Sequence, residues 1–493
     1  MIAANLPALQ VVLPLAGAPI CAILGRRWYG WLIATALCWA TFAISVLLYV
    51  QVAENGPISY MLGNWMAPWG IEYRLDRIGA LVLIIVSGIA AVSAPFAFHS
   101  VHAEIPEDQH RYFYTAFLLA MTGLLGMAIT GDVFNLFVFL EISSLSSYAL
   151  ISLGRDRKAL FASFQYLILG TIGATFIVIG IGLIYMMTGT LNMADLAVRL
   201  PAVAGNRVVD AGFVFILVGV AIKLAVFPLH LWLPNAYAYA PSVVSAFLAA
   251  TATKVAAYMM FRFVFTVFGV EFSFDQMQLS WLLVPLALIA AVTGSLVAIF
   301  QDDLKRLLAY SSVAQIGYIV LGIGLATQDS VTAAVVHLFN HALMKGALFM
   351  ALGAVMLRVG SVDINAIRGL GARMPLTMAA IVIGGLSLIG VPATVGFITK
   401  WYLVIAALET GWWEIAVIVL FSSLLAIIYV WRIVEAAYFS EPSETGATVT
   451  EAPWPMVAST WVLAAACLYF GLDTRLPVGA ATEAARALLG GTP

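Results

Sequence analysis

The 493-residue sequence is 63% hydrophobic and only 10% charged, which excludes a water-soluble globule with a polar surface. Its formal net charge of -2 is not the strongly basic balance of a nucleic-acid-binding protein, so we expect no nucleic-acid partner. We predict an all-α polytopic membrane protein embedded in the lipid bilayer.

The cysteines indicate no redox or metal centre. Cys21, Cys38 and Cys467 stand singly in apolar segments, whereas iron–sulfur and zinc sites need paired spacings. We therefore expect no cofactor and no bound metal. The first apolar segment meets Arg26 and Arg27 at its far end instead of a small-residue cleavage site, so we also expect no cleavable signal peptide.

Apolar runs long enough to cross a bilayer predict about fourteen transmembrane helices. They centre on residues 6–24, 31–50, 78–98, 112–130, 133–153, 161–187, 213–228, 243–268, 281–300, 312–326, 331–357, 376–403, 415–438 and 456–470. The seventh run contains Pro228 and the twelfth contains Pro392. Because proline removes a helical N–H, we predict that helices 7 and 12 are broken.

The two broken helices lie five spans apart, which predicts two inverted five-helix repeats, helices 4–8 and helices 9–13, with an ion site near the midplane. The chain then divides into residues 1–110 (helices 1–3), 111–270 (first repeat), 271–440 (second repeat) and 441–493 (connector, helix 14 and C-terminal tail).

Basic residues set the predicted orientation. If the N-terminus is outside, most arginines and lysines fall in inner loops, among them Arg26, Arg27, Lys305 and Arg432. The positive-inside rule therefore predicts that both termini are outside. The inner segment 99–111 gathers histidines and acids; we expect a solvated loop and not a metal site, because short loops of mixed charge are ordinary.

Residues 219–241 place polar groups inside an apolar segment. Lys223 lies in an apolar helix, Pro228 breaks that helix, and His230 follows. A charged ammonium at membrane depth costs roughly 2.5–3.5 kcal/mol, and irregular backbone survives there only where protein or water covers it. We predict a buried functional site; a snorkelling lysine on a kinked helix is the structural alternative.

The fifth helix carries a carboxylate at its centre. Asp132 stands at its mouth and Glu141 near its middle, with Ser144 at i+3 and Tyr148 at i+7, so one face presents a carboxylate with hydroxyl groups. Burial and a nearby cation have opposite effects on such an acid. Glu141 is therefore a predicted proton-binding group; a purely structural glutamate–lysine bridge remains the alternative.

The eighth helix holds a second buried lysine, Lys254, with Thr251 and Tyr258 on the same face. In the eleventh helix His337, His341 and Lys345 recur every four residues, a spacing that stacks them on one face. We predict a proton wire there. Two histidines at i, i+4 also suit zinc, but no third ligand lies nearby on the helix.

The twelfth helix repeats the pattern of the seventh. It breaks around Gly390, Pro392 and Gly396 and then presents Lys400. Paired broken helices of this kind are the best sequence pointer to an ion site. We predict that Lys400 is one end of a proton path.

Five segments resemble the proton-translocating antiporter-like subunits shared by complex I and the Mrp-type multisubunit Na+/H+ antiporters. They are GDVFNLFVFLEISSLSSY, KLAVFPLHLWLPNAYAYAPSVVSAFLAATATK, DDLKRLLAYSSVAQIGY, HLFNHALMKGALF and GVPATVGFITKWY. The resemblance spans about residues 110–405. Within this family the chain is most similar to the D subunits of Mrp antiporters. The turn WLPNAYAYAP lacks the acidic WLPDAH form usual in complex I, and Lys400 stands where one complex I homologue has glutamate.

The resemblance implies roles for the buried groups. Glu141 and Lys223 would form a pair between helices 5 and 7, and Lys400 would be the terminal site. Lys254 and the helix 11 histidines would make the central relay.

The resemblance also implies a function, partners and a location. The chain would be a secondary-transporter subunit and not itself an enzyme, moving protons in exchange for Na+ beside Mrp A, B, C, E, F and G type subunits in a bacterial inner membrane. The alternative is a pump subunit of a complex I-like or membrane-bound hydrogenase complex that redox chemistry elsewhere drives. A purely structural scaffold is a third class, in which the lysines would be dispensable.

Overall fold

The computed structural model describes residues 3–25, 28–441 and 449–490. Arg26 and Arg27, which entered the signal-peptide and orientation arguments, lie outside the described residues. So do residues 442–448 of the predicted connector and both chain ends, residues 1–2 and 491–493.

The chain is nearly all helical. Within the described ranges it forms eighteen α-helices: α1 Leu6–Leu24, α2 Tyr29–Asn55, α3 Arg77–Glu104, α4 His110–Ile129, α5 Val133–Ser152, α6 Arg157–Thr188, α7 Met193–Arg199, α8 Arg207–Leu224, α9 Trp232–Tyr239, α10 Ser242–Phe261, α11 Leu279–Ile299, α12 Leu304–Leu325, α13 Gln328–Val359, α14 Pro375–Ile389, α15 Val395–Glu409, α16 Trp413–Val434, α17 Trp454–Leu472 and α18 Arg475–Leu488. Two strands, β1 Ile58–Met61 and β2 Glu72–Leu75, pair antiparallel.

The predicted crossings and the predicted breaks are confirmed. In the described part of the chain, twelve helical segments are long and apolar enough to cross a membrane. The other two crossings are the seventh, formed by α8 and α9, and the twelfth, formed by α14 and α15. The chain is therefore a polytopic membrane protein with broken helices at the two expected positions.

Each break has a local backbone cause. Helix α8 ends at Leu224, and Ala225 takes a left-handed conformation with φ 60° before Pro228. Helix α14 ends at Ile389, followed by Gly390 with φ 86°. Since a left-handed residue ends a helix, the carbonyls of the last turns are left for other donors.

The order of whole and broken spans repeats. Helices α4, α5 and α6 are whole, α8 with α9 is broken, and α10 is whole; α11, α12 and α13, then α14 with α15, then α16 follow the same order. Because each series has an odd number of crossings, the second series runs through the membrane in the opposite direction. This is the arrangement of inverted repeats.

The core lies along three helices. Every residue of α13 from Ser330 to Val355 is buried, and α10 and α12 are buried almost throughout. Helix α13 packs against both of the others and against α14, α15 and α17. Polar side chains on these helices are therefore held in the buried interior of the bundle.

Two expectations about the segments between helices were wrong. Residues 99–111 form a loop only over 105–109: α3 continues through Glu104 and α4 begins at His110, which is 2% exposed and packs on the His102 ring at 4.6 Å. Lys305, assigned to an inner loop, is buried in the first turn of α12. Composition predicted charged loops here, but helices that extend beyond the apolar runs bury His110 and Lys305, whereas Glu107 and Asp108 in the short connection are exposed.

Candidate functional site

Lys223 lies in the last turn of α8 and is 6% exposed. Its Nζ donates a 2.7 Å hydrogen bond to Ser144 Oγ and a 3.4 Å bond to Tyr148 OH, both on α5. The expected hydroxyl face of α5 thus contacts the lysine directly. Trp232 lies a few residues beyond the break, and its Nε1 donates to the Ile222 carbonyl in the last turn of α8 at 2.9 Å.

Glu141 and Lys223 are neighbours without being an ion pair. The carboxylate is close enough to interact electrostatically with the ammonium, but no ion pair between the two occurs among those of the described residues. Glu141 Oε1 is buried and has no hydrogen-bond partner in this part of the chain. The Lys223 ammonium donates instead to Ser144 and Tyr148. The expected ion pair between Glu141 and Lys223 is therefore not formed in this conformation.

Lys254 on α10 is fully buried. Its Nζ reaches back along the helix to the Ala249 carbonyl at 2.5 Å and to Thr253 Oγ1 at 3.4 Å. The two residues expected to share its face bond elsewhere: Thr251 donates to the Phe247 carbonyl at 2.7 Å, and Tyr258 donates to the Ala128 carbonyl at 2.8 Å. The lysine therefore relies on its own helix for hydrogen bonds.

The predicted face of α13 is present. The rings of His337 and His341 stack at 5.4 Å with 11° between their planes. His337 Nδ1 lies 2.9 Å from Thr399 Oγ1 on α15. Its Nε2 and both ring nitrogens of His341 are buried without a hydrogen-bond partner among the described residues. Such groups are costly unless a partner such as ordered water serves them.

Lys345 on α13 and Lys400 on α15 form hydrogen bonds with different neighbouring helices. Lys345 Nζ donates to the Leu308 carbonyl at 2.8 Å and to Ser311 Oγ at 2.5 Å, both on α12. Lys400 Nζ donates to the carbonyls of Leu388 and Ile389 at 3.1 and 2.6 Å. The second lysine thus bridges the break between α15 and α14.

His337 is the electrostatic centre of the cluster. It interacts with three of the buried ammonium groups, Lys254, Lys345 and Lys400, and His341 interacts with Lys254 and Lys345. Lys223 interacts electrostatically with Glu141. The structure therefore brings the predicted residues together as two sets: Glu141 with Lys223, and the other five around the α13 histidines.

The predicted supporting residues shape the ends of these helices. Asp132 caps α5 by accepting from the Asn135 N–H at 2.7 Å, and burial raises the pKa of its carboxyl. Pro228 and Pro392 lie in the two breaks. His230 stacks on Phe227 at 5.3 Å, with Nδ1 buried and unbonded within the described chain. In the described ranges, no three His, Cys, Asp or Glu side chains converge into a metal-ligand set.

Sequence reasoning missed two buried charged groups. Arg262 is 6% exposed and forms an ion pair with Asp76, in which Nη1 donates to Oδ2 at 2.7 Å. Lys305 is 2% exposed and donates to the Ala240 carbonyl at 3.1 Å. Arg262 lies near the end of the apolar run 243–268, and Lys305 lies just beyond the run 281–300. Hydropathy alone does not separate a buried residue from a solvated one at such positions.

Comparison with known proteins gives the same family from several directions. The family described as NADH:quinone oxidoreductase/Mrp antiporter, TM, matches residues 130–426. The NADH-quinone oxidoreductase subunit N of Desulforudis audaxviator is 43% identical over 92% of this chain and 90% of that protein. The D subunit of the Na(+)/H(+) antiporter of Alkalihalophilus pseudofirmus is 34% identical over 82% of this chain and 80% of that protein.

Two solved structures share the whole fold. A chain of the Mrp complex from Dietzia sp. DQ12-45-1b has a TM-score of 0.90 at 26% identity and covers 99% of this chain and 98% of its own. A chain of the membrane-bound sulfane sulfur reductase, an archaeal respiratory membrane complex, has a TM-score of 0.90 at 33% identity, with 98% of each chain covered. The chain therefore belongs to the NADH:quinone oxidoreductase/Mrp antiporter membrane-subunit family.

Proposed function

We propose that this chain is the proton-translocating membrane subunit of a multisubunit monovalent cation (Na+)/H+ antiporter. The observation that carries the proposal is the set of lysines and histidines buried on the two broken crossings and on α10 and α13, with Glu141 Oε1 and three ring nitrogens of His337 and His341 left unbonded among the described residues. Buried ionisable groups inside a membrane are costly and mark ion or proton pathways.

The first step of the proposed mechanism uses Glu141 and Lys223. Burial favours the neutral amine of Lys223, whereas a carboxylate at about 4 Å stabilises the ammonium by roughly 4 kcal/mol at an effective dielectric near 20. Movement of Glu141 toward the lysine, in place of Ser144, would load a proton. Movement away, to the unpaired arrangement described above, would release it.

The second step passes the proton through the α13 cluster. A proton leaving Lys223 reaches Lys254, then His341 or His337, and then Lys400, through water between the half-helices. The two stacked histidines suit this role because their unbonded ring nitrogens can hold a proton or a water molecule. In an antiporter complex this flux is coupled to Na+ export.

The test is proton-coupled transport in everted vesicles that contain the assembled native complex. Glu141→Ala should abolish Na+-dependent dissipation of a pH gradient while the complex persists on native gels. Glu409→Ala is the matched control, because Glu409 is exposed at the end of α15. Normal transport by an assembled Glu141→Ala complex would overturn the loading mechanism.

A redox-driven pump subunit is the second candidate function. It is favoured by the 43% identity to a protein named NADH-quinone oxidoreductase subunit N and by the likeness to a chain of the sulfane sulfur reductase. Purification through a tag on this chain separates the two candidates. Mrp A, B, C, E, F and G type partners with Na+-driven proton movement support the antiporter, whereas redox subunits with donor-driven proton movement support the pump.

The remaining parts of the proposal concern placement. We infer a bacterial inner-membrane location with both termini outside, on the bias of basic residues. We also assign residues 111–270 and 271–440 to the two antiporter-like repeats, and residues 1–110 and 441–493 to the flanking helices. Support for this division comes from the repeated order of whole and broken helices.

A further inference from the structure

Lys305 is a buried ammonium that the proposed relay does not use. It is the second residue of α12, at the end of the bundle predicted to face inside, and only 2% of it is exposed. Its one hydrogen bond in the described chain goes to the Ala240 carbonyl at 3.1 Å. Burial of a lysine with so few hydrogen-bond partners destabilises the fold. A buried ionisable group of this kind in a membrane protein indicates a functional role.

Acidic groups connect Lys305 to the surface at this end. Glu104 ends α3 and is half-buried; its Oε2 accepts from the N–H and hydroxyl of Ser242 at 2.9 and 3.1 Å. Both Glu104 and Asp303 interact electrostatically with Lys305, although neither forms an ion pair with it in the described residues. The lysine thus lies just behind a partly solvated carboxylate.

The other side of Lys305 leads to the central cluster. The Leu308 carbonyl, which accepts the 2.8 Å bond from Lys345 Nζ, belongs to a residue three positions further along α12, about 4.5 Å along the helix axis. Lys345 in turn interacts electrostatically with Lys254. Glu104, Lys305, Lys345 and Lys254 therefore follow one another from the inner end toward the midplane.

We propose that Lys305 is a proton-release residue that connects the central relay, through Lys345, to the inner aqueous side. This inference rests on the proposed function and gives the α13 cluster its own inner access, independent of Lys223. In one cycle the neutral Lys305 amine takes a proton from the Lys345 ammonium through water and then gives it to the inner aqueous side. One proton moves from the central cluster to the inner side, and no electrons are transferred.

The experiment replaces the lysine by a cysteine that can be given back an amine. Lys305→Cys is assayed in the assembled complex in everted vesicles, where the predicted inner end faces the medium. We expect transport to fall on the order of a hundredfold, the scale of a lost proton-transfer group. Aminoethyl methanethiosulfonate, which restores an amine that can lose its proton, should recover transport. The trimethylammonium-ethyl reagent, which adds a fixed positive charge, should not.

The controls use the same chemistry elsewhere. Lys158→Cys, at an exposed position on the same end, should transport normally before and after modification, and the three native cysteines are buried. Labelling of Lys305→Cys is measured by mass spectrometry.

Each contrary result overturns the inference. Full activity of unmodified Lys305→Cys shows that no proton carrier is needed there, and equal rescue by both reagents shows that a fixed charge suffices. Rescue by neither reagent despite labelling shows that an amine at position 305 does not carry protons from the path to the inner side, and failure to label shows that water does not reach the position. If the wild-type complex itself moves no protons, the proposed function fails instead.

Discussion

Lys400 and Ile389 lie on opposite sides of the break in the twelfth crossing, and the lysine ammonium donates a 2.6 Å hydrogen bond to the isoleucine carbonyl. This carbonyl belongs to the last turn of α14, the negative end of the helix dipole. The seventh crossing satisfies its own freed carbonyl differently, through Trp232 Nε1 and Ile222. At one break the carbonyl therefore accepts from the titratable amine of Lys400, and at the other it accepts from the neutral indole of Trp232.

The first prediction follows from this bridge. Lys400→Ala should nearly abolish proton-coupled transport, because the path loses its terminal carrier and the α14 carbonyls lose their donor. Lys400→Glu should keep partial activity with a more acidic optimum, because only the protonated acid can donate to those carbonyls. The measurement is Na+-dependent dissipation of a pH gradient across the neutral range in assembled complexes. Transport by Lys400→Ala equal to wild type would place the terminal site elsewhere; Lys158→Ala is the exposed control.

The second prediction concerns Lys223. Lys223→Arg should fail almost as completely as Lys223→Ala, because arginine keeps its proton at any accessible pH. The planar guanidinium also presents its N–H groups in a different geometry from the single ammonium that donates to Ser144 and Tyr148. Assembly is monitored on native gels beside the transport assay. An arginine variant with full activity would show that a fixed charge suffices at this position.

The helices were predictable because the bilayer dictates them. Runs of apolar residues had to become spanning helices, and Pro228 and Pro392 had to interrupt two of them. The short strands Ile58–Met61 and Glu72–Leu75 and the final helix α18 lie between or beyond the apolar runs. Hydropathy carries no signal for such elements, so they were missed.

The site was predictable in its residues but not in its contacts. Helical spacing correctly placed His337 above His341, because positions four apart share a face. It did not show that Thr251 and Tyr258 bond away from Lys254. Those bonds depend on which backbone carbonyls neighbouring turns and helices offer, and a single sequence does not encode that in its periodicity.

The third prediction tests the buried ion pair between Asp76 and Arg262. Burial acts to raise the pKa of Asp76, but the Arg262 guanidinium and its hydrogen bonds outweigh burial and lower it. A lowered folded-state pKa contributes stability that is full above the ordinary carboxyl value and is lost as the pH falls through the folded value. Thermal stability in detergent should therefore decrease in strongly acidic buffer, below about pH 4.

Asp76→Asn should remove this dependence. The substitution leaves the guanidinium buried without its counter-charge, which costs up to about 3–5 kcal/mol. The unfolding temperature of Asp76→Asn should therefore be lower than that of the wild type and should not change with pH in the acidic range. Asp473→Asn is the control, because Asp473 pairs with Arg475 at an exposed position. Equal acid sensitivity of wild type and Asp76→Asn would mean that another carboxyl controls the transition.

The last prediction uses two glycines that differ in one respect. Gly390 has φ 86°, and a Cβ built on it would lie 2.8 Å from Cδ of Lys400. Gly360 has φ 78°, and a Cβ there meets nothing within 4 Å. Alanine at either position pays the left-handed penalty of roughly 1–2 kcal/mol, so the backbone cost is matched. Only at Gly390 must the functional lysine move.

Gly390→Ala should therefore reduce proton-coupled transport much more than Gly360→Ala, although the two variants should lose similar thermal stability. The added methyl group pushes the Lys400 stem away from the Ile389 carbonyl, and that displacement opens the bridge across the break. Transport, assembly and unfolding temperature are measured on both variants. Equal transport by the two would show that the contact between Lys400 and the end of α14 is not needed for proton movement, even if Lys400 itself is.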